Sequence, residues 1–465
     1  MEKELLLFQI GPVQEFIAQA ETLGDLRVGS EMLSDVTAAA LRTIPGYETE
    51  AVFPAVKKDE LSGIPNRFLV FVPKGRGEEL ARAAAEAARD ALVKMAEEAF
   101  PKTGLSQGLH DAYRKQVEAF LQTTWAVLKQ PSGQMGADYK TIGKLMALRR
   151  NVRAFEAWHE EATGGVKDFL SGKEFALDVA DGRADNRNSG RGAMNLIKKA
   201  RWTEADQVEA TKLGSYIAVL ALDGDHMGGK LSGFATQAEH RAFSERLAQF
   251  AQSVSVKPED GRLIYAGGDD VLAVVKATRA IPLARELAAL FKAKVAVDGI
   301  TASVGIAIGS SKAPLQDLVH EAHAAESRAK RVYGRDALAV SVVKRSGEIL
   351  HWGCKWSSKA LEIYARLADA ANAKIDLSRF AYKLASFLAP YDLASCKRLD
   401  AAMRDVVWAE TQHVLAQTEG ATKALPEERQ APLEAYLDED GVAAHPEDYL
   451  GLFLCEAFID RPRGE

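Results

Sequence analysis

The hydrophobic pattern of this chain divides it into two regions of alternating strands and helices, followed by a region that is helical throughout. In the first region, short apolar runs at residues 5–10, 52–53, 67–72 and 123–128 predict strands. Apolar residues at helical spacing predict helices near 12–20, 29–44, 78–100 and 108–120. The resulting order βα(α)ββαβ is typical of a ferredoxin-like domain, which we assign to residues 1–130.

The second region, residues 213–350, repeats this order. Strands are predicted at 215–223, in a hairpin at 263–275, and at 300–308 and 337–343, with helices near 237–254, 280–294 and 314–333. We interpret it as a palm-like ferredoxin fold with one added helix and strand. Two such domains in one chain raise the prospect of an active site between them.

The segment between the two domains has a different composition. Residues 145–158 predict a basic amphipathic helix that carries Arg149, Arg150 and Arg153, and residues 181–191 are polar and lack periodicity. We interpret 131–212 as an insertion or linker domain. Its arginines are candidates for contact with phosphate, although a solvated helix face is the simpler explanation. Residues 351–465 predict a helical bundle used for packing or for binding a partner.

Composition excludes several classes of protein. Of the 465 residues, 47% are hydrophobic and 27% are charged, and no apolar run approaches the roughly 20 residues of a membrane span. The start lacks the form of a signal peptide, so we expect a cytoplasmic protein. A net charge of −6 argues against non-specific binding of nucleic acid. The widely spaced Cys354, Cys396 and Cys455 argue against a zinc ribbon or a disulfide framework.

The candidate chemistry lies in the hairpin at 263–275. Its two apolar runs flank Gly267, Gly268, Asp269 and Asp270, and adjacent carboxylates on a rigid turn repel each other unless a cation neutralises them. Taken alone, the tetrapeptide fits an ordinary solvated turn equally well. The strand at 215–223, however, ends in Asp223. If this strand pairs beside the hairpin, three aspartates meet at one sheet edge and form a divalent-metal site for phosphoryl transfer.

Several motifs then resemble a known family. Among them are I-G-P-V-Q-E-F-I-A-Q-A, A-L-R-R-N-V-R-A-F, L-D-G-D-H-M-G and Y-A-G-G-D-D-V-L-A. In this order they resemble the large, polymerase-like subunit of type III-B (Cmr-type) CRISPR effector complexes, over roughly residues 5–343. The resemblance implies an α+β fold with two ferredoxin-like palm domains, similar to those of GGDEF-type cyclases. A small insertion domain would lie between the palms, and a helical bundle would follow them.

The family resemblance also implies a function. Members bind ATP between the two palms and join it into cyclic oligoadenylates when guide RNA has paired with target RNA, and some relatives couple ATP to S-adenosylmethionine. The partners would be the other subunits of the complex, guide RNA and target RNA. The chain would then be a metal-dependent nucleotidyltransferase that uses two Mg²⁺ or Mn²⁺ ions and ATP as substrate.

The resemblance assigns roles to particular residues. Asp223, Asp269 and Asp270 match the metal-binding and catalytic aspartates, and the Gly224 carbonyl lies beside the first of them. No side chain need act as a base, because positioning and charge neutralisation supply most of the catalysis in such transfers.

Further residues match nucleotide contacts. Gly267 and Gly268 would let the nucleotide approach, and Lys330 would contact the triphosphate unless it is an ordinary solvated helix lysine. Ser30 and Ser34 lie where a second nucleotide would rest.

Two departures from the family pattern limit the prediction. His110-Asp111 is the only HD pair in the sequence and no other histidine cluster supports it, so we expect no HD nuclease. Residues 173–202 contain none of the four cysteines that usually bind zinc, so we expect no zinc.

Three other functions remain open. The chain could be a non-catalytic scaffold subunit, a synthase coupling ATP to S-adenosylmethionine, or a free-standing dinucleotide cyclase, which would not need two palms and a helical domain.

Overall fold

The first palm is an antiparallel sheet with helices on both faces. The computed structural model describes residues 3–57, 61–152, 165–180, 190–207, 210–373, 375 and 377–459. The strands are β1 (Lys3–Gly11), β2 (Ala51–Phe53), β3 (Arg67–Pro73) and β4 (Gln122–Leu128), in the order β2-β3-β1-β4. The helices are α1 (Gln14–Ala18), α2 (Leu23–Arg42), α3 (Tyr47–Glu50), α4 (Gly77–Thr103) and α5 (His110–Phe120). This is the predicted ferredoxin-like order.

The central part of strand β1, residues 5–8, is continuously apolar because both of its faces are covered. Leu6 and Phe8 pack into the core beneath α2 and α4, whereas Leu5 and Leu7 pack against the helix that follows β4. A continuous apolar run is what a strand buried on both faces requires. The helix α2 begins at a capping box, in which the Thr22 hydroxyl accepts from the Asp25 amide and the Asp25 carboxylate accepts from the Thr22 amide.

The described helices of residues 131–212 pack against both faces of the first sheet, and their assignment to an insertion or linker domain stays a prediction. These helices are α6 (Met135–Asn151), α7 (Leu177–Ala180) and α8 (Ala193–Ala200). The helix α6 shares a small core with β1 and β4. On α8, the buried Lys198 ammonium donates to the Gln19 carbonyl oxygen at 2.7 Å, beside the C-terminal end of α1. Arg153 and the polar loop at 181–189 lie outside the described residues.

The second palm has the sheet order β10-β9-β8-β5-β7-β6. Its strands are β5 (Tyr216–Gly224), β6 (Gly261–Gly267), β7 (Asp270–Lys276), β8 (Ala302–Ser310), β9 (Ala337–Val343) and β10 (Ile349–Lys355). Its helices are α9 (Met227–Leu231), α10 (Gln237–Ser253), α11 (Ala280–Val295) and α12 (Leu315–Arg331). The order β8-β5-β7-β6 is ferredoxin-like, and β9 joins β8 in parallel after α12. The edge strand β10 was not predicted, and the proposed boundary at residue 351 cuts through it.

The C-terminal region is helical, as predicted, and shares a core with the second palm. Its helices are α13 (Ala360–Asn372), α14 (Ser378–Leu388), α15 (Ala401–Ala416), α16 (Glu419–Ala424), α17 (Ala431–Leu437), α18 (Asp440–Ala444) and α19 (Glu447–Ile459). Buried residues of α19, such as Phe453, belong to the same apolar cluster as Trp352 on β10. Within the described ranges, no helix combines the length and the apolar character needed to cross a bilayer.

The two palms pack directly against each other. Alternate residues of β5 face opposite cores, with Leu220 toward α10 and α11 and Val219 toward the core of the first palm. The helix α10 also reaches the first palm, because the Arg241 guanidinium donates to the Ala51 carbonyl oxygen at 2.9 Å. The relative position of the two sheets is therefore fixed by both apolar and polar contacts.

A buried ion-pair network joins the same two domains. The fully buried Asp206 side chain accepts from Arg27 Nε on α2 at 2.6 Å and lies 2.7 Å from Arg262 Nη2 on β6. Burial raises the pKa of this carboxyl, but hydrogen bonds from Arg27 and Thr203 outweigh burial and lower the pKa to about 2. Asp206 thus stays ionised and ties one palm to the other.

Candidate active site between the palms

The hairpin that carries the candidate aspartates is a tight turn. The strands β6 and β7 pair from Gly261 to Asp270, and Gly267 is the partner of Asp270 across the turn. Gly268, at the first central position, has a φ of 66°, which glycine adopts without steric cost. The turn therefore holds Asp269 and Asp270 at the rim of the sheet.

The predicted pairing of β5 beside this hairpin is confirmed. Leu222 of β5 pairs with Val271 of β7 in antiparallel register, so Asp223, the last residue but one of β5, lies at the edge where Asp270 begins β7. A Cβ atom added to Gly224 would lie 2.9 Å from the Asp269 Cβ, so only glycine fits this close approach. The sequence correctly places the three aspartates on adjacent strand ends.

The hairpin aspartates lie in an environment that disfavours their charged forms. Burial raises the pKa of Asp269, and the neighbouring charge of Asp270 raises it further. Burial also raises the pKa of Asp270, with a second contribution from Glu326 on α12. The positive charge of Arg67 lowers the pKa values of Asp269 and Asp270, but by less than burial raises them. These carboxylates lack sufficient positive charge, which a bound cation would supply.

Asp223, by contrast, already has a counter-ion. Its carboxylate forms an ion pair with Lys330, whose Nζ also lies 2.8 Å from Glu326 Oε1. The Lys330 side chain is only 17% exposed, so it is not a solvated helix lysine. Burial, followed by the charge of Arg335, lowers the pKa of Lys330 to about 8. The ammonium therefore links a carboxylate of β5 to one of α12.

The carboxylates as they lie do not assemble a complete metal site. Among the residues that the structure describes, no three or more His, Cys, Asp or Glu side chains are grouped so as to hold an ion. Asp223 is directed to Lys330, whereas Asp269 and Asp270 lie in the hairpin. The two-metal site predicted from the sequence thus remains a prediction.

Two motifs noted in the sequence have structural roles. Asp225, the last residue of the D-G-D motif, is fully buried and accepts hydrogen bonds from Thr301 Oγ1 at 2.7 Å and Ser303 Oγ at 2.8 Å. His110 of the HD pair lies 2.9 Å from Glu97 Oε2 and packs edge-on against Phe100. Because the Asp225 carboxylate is already buried and hydrogen-bonded, only Asp223 of the D-G-D motif is a candidate ligand.

The palms enclose a cleft of about 810 Å³, here called the inter-palm cleft. Its lining includes Gln9, Ser30, Ser34, Asn66, Gly267 and Asp270. The Ser34 Oγ atom is buried and has no hydrogen-bond partner among the described residues. The structure thus brings Ser30 and Ser34 to the same cleft as part of the hairpin, although neither Asp223 nor Lys330 lines it.

A smaller cavity of about 320 Å³, here called the hairpin pocket, lies beside the inter-palm cleft. Gly268 and Asp269 form one side, and apolar residues of α10, including Phe243 and Leu247, form another. The loop at residues 62–66 lines both cavities. Each cavity is therefore bounded by both palms.

Sequence reasoning missed several residues near the aspartates. Glu326 precedes Lys330 by four positions on α12, a spacing that places the two side chains together and could have indicated the ion pair. Tyr265 lines the inter-palm cleft and Arg67 lines the hairpin pocket. No local motif indicates either residue, because each reaches the site through tertiary packing.

Comparison with known proteins identifies two regions. Residues 216–339 match the model of the Cas10/Cmr2 second palm domain, and residues 5–97 match that of the N-terminal part of the CRISPR-associated protein Cmr2. The CRISPR system Cmr subunit Cmr2 of Pyrococcus furiosus is 34% identical over 164 residues. The match covers 28% of this chain and 19% of that protein, so the chain spans about a fifth of the curated relative.

Solved structures have the same fold. A type III-B Cmr-beta structure in the apo state has a TM-score of 0.63 at 10% identity, covering 90% of this chain and 77% of the other. A Cmr-beta structure bound to cognate target RNA has a TM-score of 0.61 at 10% identity, covering 88% and 78%. A Csm1-Csm4 cassette in complex with cA4 has a TM-score of 0.56 at 14% identity, covering 98% and 70%. At these identities the likeness is one of fold.

The N-terminal match lies within the first palm, and the second match covers most of the second palm. The second match contains the hairpin with its two aspartates and the strand that carries Asp223. The chain is therefore similar, in these two regions, to the Cas10/Cmr2 proteins of the Cmr (type III-B) kind.

Proposed function

We propose that this chain is a nucleotidyltransferase that joins ATP into cyclic oligoadenylate or a related ATP-derived messenger. The observation that carries the proposal is the inter-palm cleft, in which Ser30 and Ser34 of one palm share a cavity with Gly267 and Asp270 of the other. Its volume of about 810 Å³ lies within the roughly 300–1,000 Å³ typical of small-molecule sites. A cleft with walls from both palms suits two nucleotides that must meet.

The donor set fits a hard divalent cation in its chemistry. Asp269 and Asp270 have raised pKa values because burial and like charge oppose their ionisation, and a cation relieves both effects. Asp223 would join them by releasing Lys330. Mg²⁺ or Mn²⁺ bound there would neutralise charge on the phosphoryl group being transferred.

The protein itself would contribute positioning. Walls from both palms would hold two nucleotides in opposition, and a reaction of this type needs mainly alignment and charge neutralisation. Lys330, once released from Asp223, would contact the triphosphate as a point charge. Whether ATP reacts alone or with S-adenosylmethionine depends on the second occupant of the cleft.

We also propose that the chain acts within a type III ribonucleoprotein with guide RNA and companion subunits. The curated relative is named a Cmr subunit, one structural neighbour is bound to cognate target RNA, and another is in complex with cA4. Binding of target RNA would be the signal that starts synthesis.

The test uses the chain assembled with its companion subunits and guide RNA. Matched target RNA, Mg²⁺ or Mn²⁺ and ATP are added with and without S-adenosylmethionine, and products are identified by mass spectrometry. We expect a target-dependent adenylate product that falls by about 10³-fold or more in the Asp269→Asn, Asp270→Asn variant, since metal-assisted charge neutralisation contributes several kcal/mol.

The exposed Asp298→Asn serves as a matched control, because it removes a carboxylate of the same palm outside both cavities. Unchanged product from the double variant would contradict the assignment. If the wild-type complex makes no product while it binds target RNA and ATP, the chain is a scaffold subunit.

A further inference from the structure

The charges that line the inter-palm cleft are unevenly distributed. Among its described lining residues, Arg150 is the only lysine or arginine, whereas Glu31, Asp35 and Asp270 are acidic. Glu31 forms an ion pair with Arg27, and Asp35 lies 3.7 Å from Arg201 Nη2, so both already have cationic partners. Arg150 is thus the cation that the cleft itself offers to a ligand.

The position of Arg150 follows from the packing of α6. Ile142 and Met146 of this helix are buried against the first sheet. One turn beyond Met146, Arg150 lies in the last turn of α6 and lines the cleft together with Gln122 and Thr124 of β4. The buried anchors hold the helix in place and direct its final turn toward the cleft.

The guanidinium of Arg150 has no partner among the residues that the structure describes. In the part of the chain that the structure describes, Arg150 makes no hydrogen bond or ion pair, and its side chain is exposed. The adjacent Arg149 differs, since its guanidinium lies 4.4 Å from the ring centroid of Trp125. Two neighbouring arginines on one helix therefore have different environments, and only Arg150 faces the cavity.

Lys330, the other cationic residue proposed to contact a nucleotide, already has acidic partners. Lys330 is paired with Asp223 and Glu326 and does not line the inter-palm cleft. A triphosphate in this cleft would carry several negative charges close to the buried, unpartnered Ser34 hydroxyl. An arginine fork matches phosphate oxygens in both charge and geometry.

We propose that Arg150 binds the phosphate groups of the nucleotide held against the first palm, beside Ser30 and Ser34. This inference rests on the proposed function in its choice of ligand, and it names the residue that recognises the phosphates of one of the two nucleotides. The ligand class is a nucleoside triphosphate.

The test measures equilibrium binding to the full-length chain without turnover, using a non-hydrolysable ATP analogue and, separately, adenosine. In Arg150→Ala we expect affinity for the analogue to fall by about tenfold or more, as for loss of hydrogen bonds to a charged group. Adenosine has no phosphate, so its affinity should stay the same. Arg150→Lys should retain part of the affinity, because the charge remains while the fork is lost.

Arg149→Ala is the matched control and should leave both affinities unchanged. Equal affinities for the analogue in Arg150→Ala and Arg149→Ala would overturn the inference. So would a parallel loss of adenosine binding in Arg150→Ala, which would indicate damage to the cleft rather than loss of a phosphate contact.

The two proposals fail separately. If the assembled wild-type complex makes no product and Arg150→Ala still selectively loses the analogue, the proposed synthesis is wrong and the phosphate contact stands. If product forms and its KM for ATP is the same in Arg150→Ala as in the wild type, the phosphate contact is wrong and the synthesis stands.

Discussion

The two palms share one strand order and differ where chemistry is expected. In the second palm, Asp223 lies at the end of β5, next to its last residue Gly224, and a tight turn presents Asp269 and Asp270. In the first palm, the equivalent strand β1 ends at Gly11 without an acidic residue, and a long connection at 54–66 replaces the tight turn. The same sheet thus supports a set of carboxylates in one copy and a cleft wall with serines in the other. Duplication of a fold has produced division of labour rather than two equal sites.

The largest expected loss of stability comes from removing Asp206, which links the two palms. Replacing Asp206 by Ala should lower the free energy of unfolding by about 3 kcal/mol, because it leaves Arg27 and Arg262 without their shared carboxylate in a mostly buried position. The measurement is urea unfolding of the full chain. Its control is Asp405→Ala, which removes a largely exposed partner of Arg404 and should leave the unfolding midpoint nearly unchanged, because exposed ion pairs contribute little to stability.

The Asp206 result also tests whether the palms depend on each other. If they act as one unit, the variant should unfold in a single transition at lower denaturant concentration. Equal stability of Asp206→Ala and the control would show that the apolar contacts alone hold the palms together.

A smaller effect is the pH dependence of stability that the hairpin aspartates of the second palm should produce. Asp269 and Asp270 have raised pKa values in the folded state, so between the ordinary carboxyl value of 3.8 and their raised values the folded chain holds more protons than the unfolded chain. Without metal, stability should therefore fall as pH rises through this window, by an amount on the order of 1 kcal/mol.

The Asp269→Asn, Asp270→Asn variant should lose this dependence, and urea unfolding in EDTA at several pH values measures it. Titration of Asp206 does not contribute to the pH dependence in this window. Its pKa is lowered to about 2, so its contribution is complete above 3.8 and is lost only as pH falls from 3.8 toward 2. An identical pH slope in the double variant would disprove the electrostatic account of the hairpin.

The smallest effect on stability concerns the serines of the first palm. Ser34→Ala removes a buried hydroxyl that has no partner in the described residues, so the free energy of unfolding should change by less than about 0.5 kcal/mol. Affinity for the ATP analogue should nevertheless fall by about threefold to tenfold, if this hydroxyl donates to the nucleotide.

Thr37→Ala is the control for this variant. Its buried hydroxyl lies one turn along α2 and donates to the Leu33 carbonyl oxygen at 2.9 Å. This substitution should cost stability and leave nucleotide affinity unchanged. If Ser34→Ala lowers stability and leaves affinity intact, the hydroxyl has no role in binding.

Much of the fold could be predicted because its signals are local. Apolar runs and helical spacing identified both ferredoxin-like orders, and the D-G-D and G-G-D-D motifs placed Asp223 and Asp270 on strands that do pair. The edge strand β10 was missed because its alternation covers few residues and its outward positions, including His351, are half-buried or exposed. Assignment of residues 131–212 to a domain of their own stays a prediction, and no local pattern showed that their described apolar residues would pack into the cores of the first palm.

The site could be predicted only in part because its electrostatics depend on distant contacts. The pairing of Asp223 with Lys330 joins residues 107 positions apart, and no motif shows that the lysine is held by a carboxylate. The role of Arg150 depends on the angle at which α6 leaves the first sheet. The sequence pattern indicated three arginines on a helix, and of the two that the structure describes, Arg149 and Arg150, only Arg150 lines the cleft.

The loop at residues 62–66 has a thermodynamic consequence. It forms a common wall of the inter-palm cleft and the hairpin pocket. Any shift of this wall by an occupant of one cavity changes the free energy of occupying the other. By linkage, the factor by which a first ligand changes the affinity for a second is the same in either order of addition. Binding isotherms of this chain should therefore report cooperativity whose sign reveals whether the wall opens or closes when the first nucleotide arrives.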